Sequence, residues 1–143
     1  MARIKIEIPA KIIAEVKIPV RITDLNYGNH VGNDALVSII HEARVQWLTS
    51  NGLSELNIGG CGMIMGDLAV EYLGESFYAD VLTVKLAAGE IGRASFELLY
   101  AMSTTRDGKE ISIARARTGM VCYNYEIKKV ALMPEGFKKL LEA

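Results

Sequence analysis

The sequence predicts an α+β fold in which a curved antiparallel β-sheet wraps around one long central α-helix. The first observation is a single long helical pattern over residues 34–50. The second is a set of four strand-like patterns after residue 62, joined mostly by short turns. Strands joined by tight turns pair antiparallel, and a helix with an apolar stripe must bury that stripe on the sheet. We therefore expect one sheet around one main helix.

Residues 3–8 are expected to form a short strand or an arm that ends at Pro9. A better strand pattern covers residues 15–22, where apolar and mostly charged residues alternate, so one face is predicted to be buried. Pro19 has no N–H to donate and indicates a sheet edge or a bulge. The apolar residues of this alternation are Val16, Ile18, Val20 and Ile22.

The helix over residues 34–50 has clear start and stop signals. Asn33 is the predicted N-cap, Asp34 is a favourable charge in the first turn, and Gly52 is a C-terminal stop. The apolar stripe at helical spacing consists of Leu36, Ile39, Ile40, Ala43 and Trp47. Further apolar residues lie off this stripe, which predicts that a second surface covers the helix. These are Val37, Val45 and Leu48.

The strands that follow are predicted at residues 63–73, 81–88, 95–102 and 110–125. A turn is expected over residues 89–92, and Asp107-Gly108 is a strong hairpin signal because these residues tolerate positive φ. The chain is expected to finish with a short amphipathic helix over residues 134–142, with Pro134 in its first turn. Its inward residues are Phe137, Leu140 and Leu141.

Size and charge limit the class of protein. A chain of 143 residues with 50% hydrophobic composition fits one domain, residues 1–143. The net charge of -1 gives no field that would attract nucleic acid or acidic membranes. No apolar run approaches the roughly 18 residues that span a bilayer, and the alternation over residues 1–6 is unlike a signal peptide. We expect no nucleic-acid or membrane partner.

The cysteines and histidines give no cofactor signal. Cys61 and Cys122 do not make a disulfide framework, which favours a reduced, cytoplasmic location. The two cysteines and two histidines are far apart in the sequence and have no metal-ligand spacing. We therefore expect neither a metal nor a disulfide. Cys122 is predicted to be a core residue, and Cys61 lies in a glycine-rich loop without a partner that would make it a nucleophile.

Residues 24–33 combine acidic, amide, imidazole and glycine residues directly before the helix. The first turn of a helix has unpaired N–H groups and the positive end of the helix dipole, which stabilise developing negative charge. His30 is the residue type that takes up a proton near neutral pH. Gly28 and Gly32 allow the backbone to approach a ligand closely. The sequence therefore predicts a chemical site where this segment meets the helix.

The motif Asp24-Leu25-Asn26, then His30-Val31-Gly32-Asn33, with Glu42-Ala43-Arg44 on the helix, resembles the hotdog-fold thioesterases, and within them the 4-hydroxybenzoyl-CoA thioesterase-like group. Residues 70–73, 78–82 and 92–96 also resemble that group. The resemblance extends over roughly residues 14–142. It implies a homodimer, often paired into a homotetramer, with active sites between subunits. The implied reaction is hydrolysis of an acyl-CoA or acyl-carrier-protein thioester, with coenzyme A present only as part of the substrate.

The match to the family motif is incomplete at three positions. In bacterial members an Asp two residues after the first Asp of the motif is general base or nucleophile; here that position is Asn26, and Asp24 matches the earlier acid. The branch that resembles plant acyl-carrier-protein thioesterases uses an Asn and a His of this motif. His30 matches that His, but Gly28 stands where that branch has Asn. Ser76 lies near the position of a later Cys in that branch.

The predicted catalytic residues are Asp24, Asn26, His30 and Glu42. In this hypothesis Asp24 is the base or orients His30, His30 takes the proton of water, Asn26 holds the water or the substrate, and Glu42 faces the acyl tunnel. Each has a structural alternative: Asp24 caps a turn, His30 fixes the loop, and Glu42 forms an interface ion pair with Arg44. The predicted substrate-binding residues are Gly28, Val31, Gly32, Asn33, Met65 and Ser76.

Two other functions are consistent with the same residues. Hotdog enoyl-thioester hydratases carry D-x-N-x-x-H, with His five residues after Asp, whereas His30 is six residues after Asp24. Hydration of crotonyl-CoA separates this reaction from hydrolysis. The presence of Asn26 instead of Asp also fits a non-catalytic acyl-CoA binding module. Such a module predicts thermal stabilisation by acyl-CoA without turnover.

Overall fold

The structure is a computed structural model that describes residues 3–143, so the first two residues of the alternating N-terminal segment lie outside the described residues. It contains six strands, two helices and one 3₁₀ turn. In chain order these are β1 (Ala14–Pro19), the 3₁₀ turn (Ile22–Asp24), α1 (Asn33–Ser50), β2 (Gly62–Tyr72), β3 (Val81–Ile91), β4 (Ser95–Arg106), β5 (Lys109–Asn124), β6 (Lys129–Val130) and α2 (Glu135–Glu142).

The strands form one antiparallel sheet with the order β1-β3-β4-β5-β2, and the short β6 pairs with β5. The predicted α+β class is therefore confirmed. β1 and β2 are the two edge strands, and Pro19 ends β1 at an edge, as expected for a residue without an N–H. The hairpin between β4 and β5 turns at Asp107 and Gly108, which have φ of 52° and 75°.

The apolar stripe of α1 faces the core as predicted: Leu36, Ile39, Ile40, Ala43 and Trp47 are all buried. Of the three residues off the stripe, Leu48 is buried, Val37 is half-buried and Val45 is exposed. The backbone of α1 lies closest to β1 and β3. Its 18 residues give a length of about 27 Å.

α2 closes the end of the core near the last turns of α1. The Phe137 ring lies 5.9 Å from the Trp47 ring and 5.1 Å from the Phe96 ring, measured between centroids. Aromatic pairs at these separations and tilts are favourable. Pro134 is the N-cap of α2 and not, as expected, a residue of its first turn.

Two predicted boundaries around the polar segment are wrong. The strand predicted to Ile22 ends at Pro19, because the carboxylate of Asp24 accepts a hydrogen bond from the Arg21 N–H at 2.8 Å and holds a 3₁₀ turn there. Asn33 is not the N-cap of α1. Gly32 occupies that position, because its N–H donates to the Asp24 carbonyl at 3.1 Å and fixes it in an extended conformation.

Further boundary errors concern β3 and β4, and β4 continues to Arg106 instead of ending at the predicted Met102. The turn predicted over residues 89–92 is shorter, because β3 continues to Ile91 through a register shift after Ala88. The remaining turn is closed by a hydrogen bond from the Gly92 N–H to the Ser95 carbonyl at 2.8 Å.

Residues 3–8 form the arm, not the strand, of the two predicted alternatives. The arm crosses the sheet face that points away from α1, where Ile6 packs against Ala87 of β3 and Leu99 of β4. The Ile6 N–H donates to the Glu71 carboxylate at 3.1 Å, and the Arg3 guanidinium donates to the Tyr72 carbonyl at 2.9 Å. The arm is therefore attached to edge strand β2.

β2 contains a bulge that sets which of its side chains face α1. The register with β5 shifts between Met65 and Asp67, so Gly66 is the extra residue. Met65 then pairs with Met120 and Leu68 with Thr118, and both partners are buried on the helix side of the sheet. No described helix is long and apolar enough to cross a membrane.

Candidate active site

The segment before α1 folds into a tight loop that is held by its own hydrogen bonds. The Asn26 N–H donates to the His30 carbonyl at 2.8 Å, and the Asn26 side-chain oxygen accepts from the Gly28 N–H at 2.8 Å. Asn29 has φ of 64°, a left-handed conformation that Asn tolerates better than most residues. These contacts place His30 at the end of the loop that meets α1.

The hydrogen bond of the His30 ring determines its tautomer. Nδ1 lies 3.1 Å from the Val31 carbonyl oxygen, which can only accept, so Nδ1 carries the proton in the neutral ring. Nε2 then has a free lone pair and can act as a base. The ring lies against Gly28, where an added Cβ would be 3.3 Å from Nε2 and 3.3 Å from the Asn26 side-chain oxygen.

His30, Val31, Asn33 and Ser76 line one cavity of about 130 Å³, so the structure brings these four predicted residues together. Asn26, Gly28 and Gly32 adjoin it through the loop. Sequence reasoning missed five further lining residues: Leu36, Tyr72, Gly74, Glu75 and Ile113. They come from α1, the end of β2, the β2–β3 connection and β5, and no sequence pattern connects these segments.

Ser76 supports the loop more than it faces the cavity. Its backbone carbonyl accepts from the Val31 N–H at 2.8 Å, and its hydroxyl donates to Asp80 at 3.2 Å. Asp80 in turn forms an ion pair with Arg106 at 2.7 Å. The hydrogen bond from Arg106 makes the largest contribution to lowering the pKa of Asp80, so this carboxylate stays charged. The predicted substrate contact of Ser76 stays a prediction.

Asp24 and Glu42 line a different cavity, of about 370 Å³, with Arg21, Ser38 and Ile39 among its walls. The Asp24 side chain is 5% exposed and pairs with the Arg21 guanidinium at 3.2 Å. It makes no contact with His30, whose Nδ1 is already bonded to a carbonyl. The turn-capping alternative for Asp24 is thus present in the structure, and a chemical role for this carboxylate stays a prediction.

Glu42 and Arg44 do not pair with each other within the described chain, and the predicted interface ion pair stays a prediction. Glu42 accepts a hydrogen bond from Gln46 at 2.7 Å, while the Arg44 Nε donates to Glu55 at 3.0 Å. Residues two apart in a helix point away from each other, so Glu42 is exposed and Arg44 is 5% exposed. Whether Glu42 takes part in chemistry stays a prediction.

Met65 lines a third cavity, of about 110 Å³, together with the buried Arg44 and Thr118. Beside this cavity the Arg44 Nη1 donates to the Tyr100 hydroxyl at 3.1 Å, and that hydroxyl lies 2.8 Å from the Thr118 hydroxyl. Glu55 joins the cluster through Arg44 and His41. Met65 is therefore not adjacent to His30, although both lie on the β2 side of α1.

The charges of this cluster follow from its contacts. Burial acts to raise the pKa of Glu55, but its hydrogen bonds to His41 and Arg44 outweigh burial and lower that pKa. Burial also acts to lower the pKa of Arg44, and Tyr100 and Glu55 raise it. Burial raises the pKa of Tyr100, so its hydroxyl keeps its proton. The cluster thus contains a charged guanidinium, a carboxylate and neutral hydroxyls.

The start of α1 offers fewer free amides than predicted. The Gly32 N–H is already bonded to the Asp24 carbonyl at 3.1 Å, so it is not available to a substrate oxygen. The Asn33 N–H, in the first turn, has no acceptor among residues 3–143. Across the same residues, no group of three or more His, Cys, Asp and Glu is arranged to hold a metal ion. The chemical groups of the site are the His30 ring with Nε2 free, the Asn26 side-chain amide and the Asn33 backbone N–H that lines the cavity.

A family model described as the thioesterase-like superfamily matches residues 20–141. The chain belongs to the thioesterase-like superfamily. Membership in this superfamily supports an enzyme of the thioester hydrolase class and confirms the predicted family resemblance. No curated protein matches the chain in sequence.

Solved structures of other thioesterases share the fold of this superfamily member. The 1,4-dihydroxy-2-naphthoyl-CoA thioesterase from Synechocystis has a TM-score of 0.78 at 23% identity, with 89% of this chain and 93% of that chain covered. The 4-hydroxybenzoyl-CoA thioesterase from Pseudomonas sp. strain CBS-3 has a TM-score of 0.78 at 18% identity, covering 89% and 97%. A gentisyl-coenzyme A thioesterase has a TM-score of 0.76 at 19% identity, with 90% of this chain and 99% of that chain covered. The predicted hotdog fold is confirmed.

Proposed function

We propose that this protein hydrolyses acyl-CoA thioesters to a free carboxylic acid and coenzyme A, with His30 as general base. The observation that carries the proposal is the hydrogen bond from His30 Nδ1 to the Val31 carbonyl at 3.1 Å, which leaves Nε2 as an acceptor. His30 lines the cavity at the start of α1, in a chain of the thioesterase-like superfamily. A positioned histidine contributes ~10²–10⁴-fold to a reaction of this kind.

In the proposed reaction, water donates a proton to Nε2 of His30 while its oxygen attacks the thioester carbon. The carbonyl oxygen becomes an oxyanion, which accepts a hydrogen bond from the Asn33 N–H at the positive end of α1. One such donor is worth ~2.7–4 kcal/mol in the transition state. When the tetrahedral intermediate collapses, the C–S bond breaks and the proton on His30 passes to the departing thiolate sulfur.

Asn26 is suited to orient the water or the thioester carbonyl. Its side-chain oxygen accepts from the Gly28 N–H, and its Nδ2 group has no acceptor among the described residues. Two amide hydrogens are therefore free beside the His30 ring. This role does not require a carboxylate at position 26, so the difference from the bacterial motif is compatible with hydrolysis.

The names of the similar structures support a CoA thioester as the first substrate to test. The three similar proteins named above are CoA thioesterases. An acyl-carrier-protein thioester contains the same reacting group. Comparison of one acyl group on coenzyme A and on carrier protein would decide between the two carriers.

We infer that the protein acts as a homodimer that pairs through β2. This strand is 11 residues long, lies at a sheet edge, and has exposed Met65 and Tyr72 side chains. A long edge strand with unpaired N–H and C=O groups readily pairs with another chain. Light scattering after gel filtration would show a mass of twice 15.7 kDa for a dimer. A monomer mass at micromolar concentration would contradict this inference.

The test of function is thiol release by the purified protein from CoA thioesters of acetate, hexanoate, palmitate and benzoate, followed with a thiol reagent. Hydrolysis of at least one thioester, lost in His30→Gln, is expected. Absence of thiol from every thioester, with a folded protein, would overturn the proposal. Thermal stabilisation by the same thioesters without turnover would instead indicate the binding module, which the pairing of Asp24 with Arg21 favours as the second candidate.

A further inference from the structure

A groove runs along α1 on the side of β2. The α1 backbone lies closest to β1 and β3, on the other side of the helix. The bulge at Gly66 turns Met65 and Leu68 toward α1, and Tyr72 follows on the same face of β2. These side chains form one wall of the groove, and α1 forms the other.

Two of the cavities described above lie in this groove, one after the other along α1. The first contains His30 and is bounded on α1 by Asn33 and Leu36. The second is bounded on α1 by residues from Val37 to Arg44. Because a helix rises 1.5 Å per residue, the middle of the second cavity lies roughly 10 Å from Asn33.

The second cavity combines apolar walls with the polar side chains of Ser38, His41, Arg44 and Thr118, and the buried Arg44 carries an unpaired donor. Val37, Ile40, Met65 and Leu68 supply apolar surface around about 110 Å³, somewhat smaller than the ~150 Å³ that accommodates benzene in an engineered cavity. This volume suits a short alkyl segment or one small ring. The apolar walls alone would favour a plain hydrocarbon.

The unpaired donor is Nη2 of Arg44. The Arg44 side chain is 6% exposed, its Nε is bonded to Glu55, and its Nη1 is bonded to Tyr100. Nη2 has no partner among the described residues, yet every buried side-chain nitrogen and oxygen there has one. Nη2 is therefore not fully buried, and Arg44 lines this cavity. An accessible donor beside apolar walls can bind an oxygen of the substrate.

Resting on the proposed function, we propose that the groove holds the acyl group of the substrate and that Arg44 Nη2 binds an oxygen at its distal end. The substrates are then acyl-CoAs of about six carbons whose last carbon bears a hydroxyl or another oxygen acceptor. Arg44 is the residue that determines this specificity and takes no part in the bond-breaking steps at His30.

The charge of the cluster favours an uncharged oxygen over a carboxylate. Glu55 already neutralises Arg44 at 3.0 Å, so a second carboxylate would be repelled by Glu55. A hydroxyl oxygen accepts from Nη2 without this repulsion, and the apolar walls suit the methylene carbons. The expected order of preference is therefore hydroxyl, then carboxylate, then methyl at the distal position.

The test compares three thioesters that differ only at that position: 6-hydroxyhexanoyl-CoA, adipoyl-CoA and hexanoyl-CoA. We expect kcat/KM for the hydroxyl compound to exceed that for hexanoyl-CoA by about 10- to 100-fold, because the methyl compound leaves Nη2 unpaired. Equal values for the two, or a preference for hexanoyl-CoA, would overturn the proposal.

Arg44→Lys keeps a positive charge beside Glu55 but removes Nη2, so the preference is expected to fall to within about threefold. The matched control is Arg117→Lys. Like Arg44, Arg117 is paired with acidic side chains, in its case Glu97 and Asp67, but it lies on the opposite face of the sheet. This variant should keep the full preference. If both variants behave alike, Arg44 does not set specificity. If Arg44→Lys does not fold, the comparison of substrates with the wild-type protein still decides.

Dissociation constants for the same three thioesters separate this proposal from the proposed function. Without any hydrolysis, the function proposed above fails, and a lower dissociation constant for 6-hydroxyhexanoyl-CoA still supports the distal site. With hydrolysis but without a preference in either measurement, the function stands and the distal site is overturned.

Discussion

Two clusters of polar side chains lie beside α1, and they differ in the origin of their partners. In the loop cluster, made of Asp24, Asn26 and His30, each side chain bonds to a residue at most three positions away. In the buried cluster, made of Arg44, Glu55, Tyr100 and Thr118, the bonded residues are 11 to 56 positions apart.

The two clusters also differ in how many of their polar atoms remain free to bind a substrate. The loop cluster uses only part of its hydrogen-bonding capacity, so the His30 Nε2 and the Asn26 Nδ2 remain available to a substrate. The buried cluster satisfies nearly all of its polar atoms internally, as buried groups must. Changes in the loop cluster should therefore alter turnover. Changes in the buried cluster should alter the free energy of unfolding and, at Arg44, the proposed preference among substrates.

The largest expected effect is that of His30→Gln. This change removes the base and should lower kcat/KM for thiol release by ~10²–10⁴-fold, with the free energy of unfolding changed by less than about 1 kcal/mol. The control is the other histidine. His41→Gln changes a residue outside the His30 cavity and should lower kcat/KM far less than His30→Gln. Wild-type rates in His30→Gln would remove this residue from the mechanism.

Tyr100→Phe tests the buried cluster. Loss of the hydroxyl leaves the Arg44 Nη1 and the Thr118 hydroxyl without a partner, so the free energy of unfolding in urea should fall by ~1–3 kcal/mol. Tyr27→Phe is the matched control, because Tyr27 is fully exposed, and it should have an effect within about 0.5 kcal/mol. An equal effect of the two changes would show that the buried hydroxyl adds no stability.

Gly28→Ala tests how closely the loop cluster is packed. The new Cβ would lie 3.3 Å from the His30 ring and the Asn26 side-chain oxygen, so both must shift by a few tenths of an ångström. We expect about a 10-fold loss in kcat, because catalytic groups are sensitive to small displacements. Gly136→Ala in α2 adds a Cβ with no atom within 4 Å and should leave kcat unchanged. If Gly28→Ala also leaves kcat unchanged, the His30 ring can move more than its contacts indicate.

The smallest expected effect is the pH dependence of stability that Glu55 contributes. Its pKa is lower in the folded protein than in the unfolded chain, so it stabilises the fold above its unfolded pKa of about 4.3, and this stabilisation is lost as pH falls through the folded value. Glu55→Gln should therefore lower the free energy of unfolding at pH 7. It should also make the decrease of that free energy between pH 6 and pH 3 smaller than in the wild-type protein. Glu110→Gln, at an exposed residue without an ion pair, should keep the wild-type decrease. Identical slopes for the two variants would contradict the role of Glu55.

The sequence predicted the elements whose signals are local. The stripe of α1, the Asp107-Gly108 hairpin and the alternation in the strands depend on spacings of a few residues, and the structure confirms them. Two local errors came from competing hydrogen bonds. The Asp24 carboxylate holds a 3₁₀ turn in place of the end of a strand, and the Asp24 carbonyl fixes Gly32 as the N-cap in place of Asn33.

The candidate site could be predicted only in part, because some of its residues are adjacent in the chain and others are far apart. Residues 26–33 are adjacent in the chain, so the sequence could place them together. Tyr72 reaches the His30 cavity from the end of β2 and Glu75 from the β2–β3 connection, while the partners of Arg44 come from the loop after α1 and from β4. No spacing in the chain indicates such contacts. The separation of Asp24 and Glu42 from His30 also depends on which side of α1 each residue occupies.

The N-terminal arm connects the sheet face that points away from α1 to the candidate site. The Arg3 guanidinium bonds to the carbonyl of Tyr72, and the Tyr72 hydroxyl lies 3.5 Å from the carbonyl of Asn33. Two side chains thus connect the outer surface to the residue whose N–H is proposed to receive the oxyanion. Affinity tags or truncations at the N-terminus are therefore not neutral modifications. An assay of this protein should therefore keep Arg3 and the rest of the described arm intact.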